Sequence, residues 1–213
     1  MRRLGTDRID LYQLHLPDED TPIEDTLEVL DGLVTTGKVR QIGCSNHSEA
    51  QIEDALTTSR ERGLAPFVSV QNEYSLLSRE PENGVVEACQ RNGLALLPYF
   101  PLASGMLTGK YTRGEALPEG SRLAGMSASR ANRFANDCNF EVVERLEALA
   151  QERGHTILDL AISWLVAQPV VASVIAGAMS PEQVRANADA ANWGLSSEDL
   201  AQVDQITRDL TAS

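Results

Sequence analysis

Five short apolar runs divide the chain, and none of them alternates regularly between apolar and polar residues. Such runs are typical of strands in a parallel sheet that is covered on both faces. Segments with helical spacing of apolar residues lie between them, so the pattern predicts alternating strands and helices. The predicted strands are Ile9–His15, Val39–Gly43, Phe67–Val70, Leu94–Tyr99 and Val170–Ile175.

Helix starts are marked three times by a hydroxyl residue followed three positions later by Glu or Gln, the signature of a capping box. Two of the three also carry Pro at the first helical position, where its missing N–H costs nothing. The three starts are Thr21-Pro22-Ile23-Glu24, Ser48-Glu49-Ala50-Gln51 and Ser180-Pro181-Glu182-Gln183. Further helices are predicted on either side of Gly154 and from Ser197 to Leu210.

Repeated strand and helix units with short connections predict an α/β fold with right-handed βαβ crossovers. The sheet is either open and doubly wound or closed into a barrel. The chain contains neither GxGxxG nor GxxxxGK[ST], so the nucleotide fingerprints of the open sheet are absent.

Composition narrows the class of protein. With 213 residues and 42% hydrophobic content, the chain can bury a full core and is expected to form one domain over residues 1–213. A net charge of −13 argues against nucleic acid or an anionic membrane as a partner. The three cysteines have no disulfide or metal-site spacing, and no targeting or membrane segment is recognisable. We therefore expect a metal-free cytoplasmic protein.

The segment from Ala103 to Asp137 interrupts the regular pattern. It has no clear periodicity and contains five glycines together with basic residues such as Lys110 and Arg122. Long irregular loops in compact domains are usually functional or disordered. Two interpretations remain open, a loop that covers a phosphate-bearing cofactor and a mobile surface excursion.

Polar or glycine-rich signatures follow each predicted strand, as at the active-site end of a βα barrel. Three of them have an ordinary structural alternative: a core histidine for His15, a local turn for Ser45-Asn46 and a helix cap for Gln71-Asn72. The signatures are His15, Ser45-Asn46, Gln71-Asn72, Tyr99 with Pro101 to Gly105, and Gly177.

Several ordered motifs together resemble the aldo-keto reductase superfamily. They extend over nearly the whole chain, which makes the resemblance more specific than any one of them. They are Leu4–His15, Gly37–Asn46, Val70–Tyr74, Pro98–Gly105, Leu107–Tyr111 and Ile175–Ala178, followed by Gln183 and Asn187.

The resemblance implies a parallel (β/α)8 barrel of the TIM type, present here as about five βα units. It also implies hydride transfer between NADP(H) and the carbonyl carbon of an aldehyde or ketone, the small-molecule substrate. His15 resembles the histidine of the family's catalytic Asp-Tyr-Lys-His tetrad, which orients the carbonyl. Hydride attack builds negative charge on the carbonyl oxygen, and a preorganised hydrogen-bond donor stabilises that charge.

The same resemblance assigns the cofactor contacts. Ser45, Asn46 and Gln71 resemble the residues that bind the nicotinamide carboxamide, and Tyr99 resembles the aromatic residue that stacks on the ring. The remaining implied contacts reach the pyrophosphate, the adenosine phosphate and the adenine: Phe100, Pro101, Leu102, Ser104, Gly105, Lys110, Gly177, Gln183 and Asn187. Met179 stands where many relatives carry a phosphate-binding arginine, so NAD(H) is an alternative cofactor.

Five strands are fewer than the eight of the family's barrel. The tetrad's aspartate, tyrosine and lysine belong to three βα units that have no counterpart before Met1. We therefore expect an N-terminally truncated chain that reduces carbonyls weakly or not at all by itself. A non-catalytic nicotinamide-nucleotide-binding subunit, similar to potassium-channel β subunits, and a fragment without function are the alternatives.

Overall fold

The computed structural model describes residues 3–211, with side chains described for residues 3–208. Residues 1, 2, 212 and 213, which the expected single domain includes, lie outside the described residues. Contacts between Cα atoms divide the chain into two compact units. Unit 1 comprises Met1–Asn72 and Glu80–Leu97, and unit 2 comprises Glu73–Arg79 and Pro98–Ser213.

Unit 1 contains a parallel sheet with the strand order β1-β2-β3-β4. Each strand is followed along the chain by a helix before the next strand begins, except at the end of the unit, so the predicted βα alternation is confirmed. The strands are β1 Ile9–Leu14, β2 Val39–Ser45, β3 Phe67–Gln71 and β4 Ala95–Leu96. The helices are α1 Ile23–Thr35, α2 Glu49–Arg62 and α3 Val85–Asn92.

The core of unit 1 lies between the sheet and the three helices. Ile42, Cys44 and Val70 of the sheet are completely buried, as are Ile52 of α2 and Cys89 of α3. β1 differs from the expected strand buried on both faces, because none of its six residues is fully buried. It lies at one edge of the sheet and has a single neighbour among the described strands.

Two of the three predicted helix caps are confirmed. Ser48 and Gln51 form a complete capping box at α2, and the Ser180 hydroxyl accepts from the amide of Gln183. The prediction for Thr21 is wrong, since Pro22 occupies the cap position of α1 without a side-chain hydrogen bond. The Thr21 hydroxyl instead donates to Asp18 Oδ2 at 2.8 Å.

Unit 2 is mainly helical, and its core surrounds α6. Leu160 and Leu165 of α6 are completely buried, and Trp164 is 1% exposed. The described helices are α4 Ala128–Phe134, α5 Asp137–Glu152, α6 Ile157–Val166, α7 Pro181–Asp189 and α8 Ser197–Thr211. The division near Gly154 and the last helix are therefore as predicted, and α4 lies within the segment that lacks periodicity.

The prediction of a fifth strand, Val170–Ile175, is wrong, because the segment forms only isolated bridges. Ile175 makes one parallel bridge with Tyr99, and its amide donates to the Pro98 carbonyl at 2.9 Å. Proline has no N–H for the ladder, and this interrupts regular pairing at Pro98. The predicted strand Leu94–Tyr99 is shorter in the structure, Ala95–Leu96, although the Leu97 N–H still donates to the Val70 carbonyl at 2.8 Å. Over residues 3–211 the fold is therefore α/β with four parallel strands, consistent with part of a (β/α)8 barrel.

Candidate functional site

The carboxyl ends of β2 and β3 form a connected polar cluster in unit 1. The Ser45 hydroxyl donates to the Gln71 carbonyl at 2.6 Å, and the Asn46 amide N–H donates to the same carbonyl at 3.1 Å. Asn46 Nδ2 donates to Ser45 Oγ at 3.0 Å and to the His15 carbonyl at 2.9 Å. Three strand ends that sequence reasoning singled out are therefore joined by direct hydrogen bonds.

Asn46 holds a left-handed backbone conformation, with φ of 60°. Asparagine tolerates this region better than most residues. Its amide N–H also donates to Asn72 Oδ1 at 2.8 Å, and Asn72 Nδ2 donates to the His47 carbonyl at 3.2 Å. Asn72 thus holds the turn after β2, a role that sequence reasoning missed although the Gln71-Asn72 motif was noticed.

Two side chains of this cluster remain accessible to a ligand. His15 follows the last residue of β1 and is exposed, and the hydrogen bond described above uses its carbonyl rather than its imidazole. The Gln71 side chain is half-buried and makes no hydrogen bond to another residue in the described part of the chain. A free amide beside an ordered serine and asparagine offers both donors and acceptors to a planar polar group.

In unit 2, the turn after Tyr99 carries several strained residues. Phe100, Ala103 and Ser104 have positive φ angles of 53°, 44° and 57°, which are costly for residues other than glycine. Ser104 Oγ is buried and has no hydrogen-bond partner within the described residues. Strain together with an orphaned hydroxyl is a feature of ligand-binding loops more than of ordinary connections.

Lys110 lies directly against this turn. A side-chain carbon at Gly105, whose φ is 97°, would come within 2.6 Å of Lys110 Nζ. Lys110 Nζ also lies 5.0 Å from the centre of the Tyr111 ring, and Lys110 is exposed. The end of the Lys110 side chain therefore lies beside Gly105, whose positive φ favours glycine.

Aromatic and charged contacts surround Tyr99 and Phe100. The two rings lie edge to face at 5.3 Å, and the Arg122 guanidinium lies 4.9 Å from the centre of the Phe100 ring. Arg133 forms an ion pair with Glu73 at 2.8 Å. Burial raises the pKa of the Tyr99 hydroxyl, and the negative charge of Glu73 adds to the effect. The phenol is therefore held neutral, which suits a ring-packing residue.

The segment around Gly177 is fixed by the two residues predicted to contact adenine. Gln183 Oε1 accepts from the Met179 amide at 2.7 Å, and Asn187 Nδ2 donates to the Gly177 carbonyl at 3.4 Å. Met179 is 94% exposed. Both side chains therefore organise the Gly177–Ser180 loop, and the Gln183 amide nitrogen is not used in these contacts.

Metal-ion ligands and membrane spans were sought in the described part of the chain. Residues 3–208 contain no group of three or more His, Cys, Asp or Glu residues arranged to hold a metal ion. None of the described helices combines the length and apolar character needed to span a bilayer.

Comparison with known proteins gives one family profile and several individual relatives that are similar to this chain. The sequence profile of the Aldo/keto reductase family matches residues 1–208. The chain is 32% identical to L-glyceraldehyde 3-phosphate reductase of Escherichia coli, covering 98% of this chain and 61% of that protein. It is 33% identical to the NADH-specific methylglyoxal reductase of Escherichia coli, covering 99% and 62%. A probable voltage-gated potassium channel subunit beta of Oryza sativa is 35% identical, covering 88% and 57%.

The chain thus spans about three fifths of the length of the curated relatives it matches. The profile match and the coverage of this chain agree with the motifs at the strand ends and with the βα order of unit 1. This chain belongs to the aldo/keto reductase family.

Proposed function

We propose that this chain supplies the cofactor-binding portion of a nicotinamide-dependent reductase of aldehydes and ketones. The observation that carries the proposal is the hydrogen-bonded cluster of Ser45, Asn46 and Gln71, with the accessible Gln71 amide at its end. A carboxamide offers one acceptor and two donors, and an amide and a hydroxyl can complement all of them.

In unit 1, we assign Gln71 as the direct partner of the carboxamide. Ser45 and Asn46 keep the end of β3 in place, since both donate to the Gln71 carbonyl. The Ser45 hydroxyl oxygen retains a lone pair that a ligand amide can use. The turn at Asn46 is fixed by Asn72, so this part of the site is preorganised before a ligand arrives.

In unit 2, we assign Tyr99 to ring stacking and the turn from Phe100 to Gly105 to the pyrophosphate. The fit of this turn to a phosphate rests on the orphaned Ser104 hydroxyl and on Lys110, which lies against Gly105. A hydroxyl donor and an ammonium group are suited to an anionic oxygen. Gly177, Gln183 and Asn187 are assigned to the adenosine end.

His15 is assigned the hydrogen bond to the substrate carbonyl. A bound nicotinamide cofactor supplies the hydride, and the oxygen of the acceptor gains negative charge as the hydride arrives. An imidazole N–H directed at that oxygen stabilises the charge, and one such donor typically contributes a factor of about 10² to 10³ in rate. None of the residues of this chain is assigned as the tetrad's proton donor, so we expect weak turnover or none.

A second candidate function is non-catalytic binding of a nicotinamide dinucleotide as a regulatory subunit. The match to a potassium channel subunit beta favours it. Both functions require the same cofactor contacts, and only the reductase allows turnover of a carbonyl substrate.

The preferred cofactor is proposed to be NADP(H), with NAD(H) as the alternative. Met179 offers no positive charge to a 2′-phosphate, and the neighbouring Arg185 lies 3.7 Å from Glu182. One relative is named as NADH-specific. Arg122 is the other arginine proposed to contact a 2′-phosphate, although its guanidinium packs on the Phe100 ring.

Fluorescence titration of the full chain with NADPH and NADH tests the proposal. Gln71→Ala removes the carboxamide partner, and the loss of one or two hydrogen bonds should raise the Kd roughly 5- to 30-fold. Gln41→Ala, an exposed glutamine on β2, is the matched control and should leave the Kd unchanged. Absence of binding to either cofactor, or equal effects of the two substitutions, would refute the assigned site.

An NADPH-oxidation assay with a reactive aldehyde tests the reductase function. Turnover that is lost in His15→Ala while cofactor binding persists supports the reductase and argues against the regulatory subunit. Saturable cofactor binding without turnover is the expected result under both candidate functions.

A further inference from the structure

The sheet of unit 1 has an open edge at β1. This strand lies at the end of the strand order, and β2 is its only neighbour among the described strands. The Ile9 N–H donates to the Lys38 carbonyl at 2.9 Å, so the odd-numbered residues of β1 direct their backbone groups toward β2. The even-numbered residues therefore present their N–H and C=O groups at the open edge. They are Asp10, Tyr12 and Leu14.

This edge lacks the features that commonly keep edge strands from associating, which are proline, lysine, a bulge or an inward-pointing charge. β1 contains neither proline nor lysine, and it keeps one register with β2 from Ile9 to Leu14. Its one charged residue, Asp10, is paired with Arg40 at 3.1 Å. The edge can therefore accept a further strand.

Helix α1 carries apolar side chains on its side away from α2. Glu28 forms an ion pair with Arg62 of α2 at 2.8 Å, which marks the side of α1 that faces α2. Val29 and Leu33 are four residues apart and therefore lie one above the other on a different side of the helix. Val29 is 69% exposed, and Leu33 is half-buried.

A second copy of this chain is complementary to the open edge. Two β1 strands related by a two-fold axis at Tyr12 run antiparallel, so Tyr12 lies opposite Tyr12 of the second copy. Asp10 then lies opposite Leu14 of the second copy, and Leu14 lies opposite Asp10. Each of these three pairs can exchange two backbone hydrogen bonds, and no edge residue is left unpaired.

Other registers of the same strand pair are less favourable. A two-fold axis at Leu11 or Gln13 leaves one of the three edge residues of β1 without a partner inside the strand. An axis at Asp10 places two carboxylates opposite each other, and an axis at Leu14 brings Asp10 toward Asp18 of the second copy. Like charges in opposite positions are destabilising. Backbone pairing and charge therefore select the axis at Tyr12.

The same axis brings apolar surfaces of the two copies together. Tyr12 is 42% exposed and pairs in register with the completely buried Ile42, so it lies on the face of the sheet that the helices cover. α1 connects β1 to β2 and lies over these strands. With strands about 4.8 Å apart, the two α1 helices are roughly 10 Å apart, which is an ordinary distance for packed helices. Val29 and Leu33 of each copy are then covered.

We propose that this chain forms a two-fold symmetric homodimer through β1 and α1. The two β1 strands pair antiparallel with Tyr12 at the axis, and the two α1 helices pack through Val29 and Leu33. The contact uses the same surface on both copies and is therefore closed. It does not involve the proposed cofactor contacts, so its test is independent of them.

Analytical ultracentrifugation of the full chain at a series of micromolar concentrations tests the dimer. At about 0.15 M salt, repulsion between chains of net charge −13 is screened beyond about 8 Å. We expect a mass twice that of the chain. Tyr12→Lys places two ammonium groups opposite each other and should weaken the dimer at least about 10-fold. Gln41→Lys adds the same charge at an exposed position of β2 and should leave the dimer unchanged.

Disulfide formation tests the register, in chains whose exposed Cys138 is replaced by serine. The Cα atoms of a hydrogen-bonded antiparallel pair are about 5.5 Å apart, within the reach of a disulfide. Tyr12→Cys should therefore cross-link two copies under mild oxidation. Leu14→Cys should not, because its two positions are roughly 13 Å apart along the paired strands.

Four results would overturn the proposal. A monomer at every concentration excludes the dimer and leaves the edge to a different partner, and a mass that keeps growing excludes a closed two-fold contact. Both of these results come from the unsubstituted chain, so they do not depend on the folding of a variant. Equal weakening by the two lysine substitutions, or equal cross-linking by the two cysteine substitutions, excludes pairing centred on Tyr12.

Discussion

Gly43 of β2 lies close to residues of both neighbouring strands, β1 and β3, and its replacement by alanine tests the fold of unit 1. A Cβ at this position would collide with the Ser69 hydroxyl and lie 2.9 Å from the Ser69 carbonyl oxygen and 3.2 Å from Gln13 Cγ. The hydroxyl can rotate, but the carbonyl belongs to the backbone of β3. The pairing of β2 with β3 also shifts register between Ile42 and Cys44, at this same residue.

Overpacking of this kind costs about 1–3 kcal/mol, and we expect Gly43→Ala to lower the free energy of unfolding by that amount. Gly32→Ala is the opposite control, because Gly32 is exposed on α1 and, apart from its chain neighbours and the nearby backbone of its own helix, nothing lies within 4 Å of its Cβ position. It should raise stability by about 0.5–1 kcal/mol, since alanine favours the helix. Adding Ser69→Ala to Gly43→Ala should recover part of the loss.

Urea unfolding followed by far-UV circular dichroism measures all four chains. Trp164 and Trp193 both lie in unit 2, so tryptophan fluorescence would not report directly on the sheet of unit 1. A loss below about 0.5 kcal/mol for Gly43→Ala, or equal effects of both glycine substitutions, would contradict the close approach of β2 and β3.

Two further predictions concern the helices and the thiols. Ser48→Ala removes the side-chain half of the capping box with Gln51 and should cost about 1 kcal/mol in the same urea assay; no change would contradict the cap. With a thiol reagent, only the exposed Cys138 should react in the folded chain, because burial raises the pKa of Cys44 to about 12 and that of Cys89 to about 11. The raised pKa values also predict that stability is retained below the ordinary thiol pKa of 9.0 and falls as pH rises toward 12. Rapid reaction of all three thiols in the folded state would refute this.

Local sequence signals predicted unit 1 well because its strands and caps depend on neighbouring residues. The run from Phe67 to Val70 is a buried strand, and Ser48 caps its helix through a residue three positions away. Thr21 is the exception. Its hydroxyl donates a hydrogen bond to Asp18, which precedes the helix, instead of capping the helix. A capping signature does not reveal such a competitor.

The fifth strand failed for a non-local reason. Val170–Ile175 has strand composition, but regular pairing depends on the segment beside it, which contains Pro98. No feature of residues 170–175 themselves carries that information. The apolar character of a segment indicates its intrinsic tendency to form a strand. Whether it pairs into a sheet depends on backbone N–H donors in a segment that is distant in sequence.

The candidate site was predictable at the level of residue types more than of contacts. Ser45, Asn46 and Gln71 were identified from the motifs, and their hydrogen bonds to one another follow from the adjacent positions of β2 and β3. The supporting role of Asn72 required coordinates, because it depends on side-chain direction rather than on spacing.

The central claim is that the polar ends of β2 and β3 bind the carboxamide of a nicotinamide dinucleotide. Side-chain amide signals of glutamine, followed by proton–nitrogen NMR during titration of the full chain with NADP⁺, test it most directly. We predict a saturable shift of the Gln71 side-chain amide, with the Gln41 amide unchanged. Binding that leaves the Gln71 signal in place, or no binding at millimolar NADP⁺ and NAD⁺, would contradict the account.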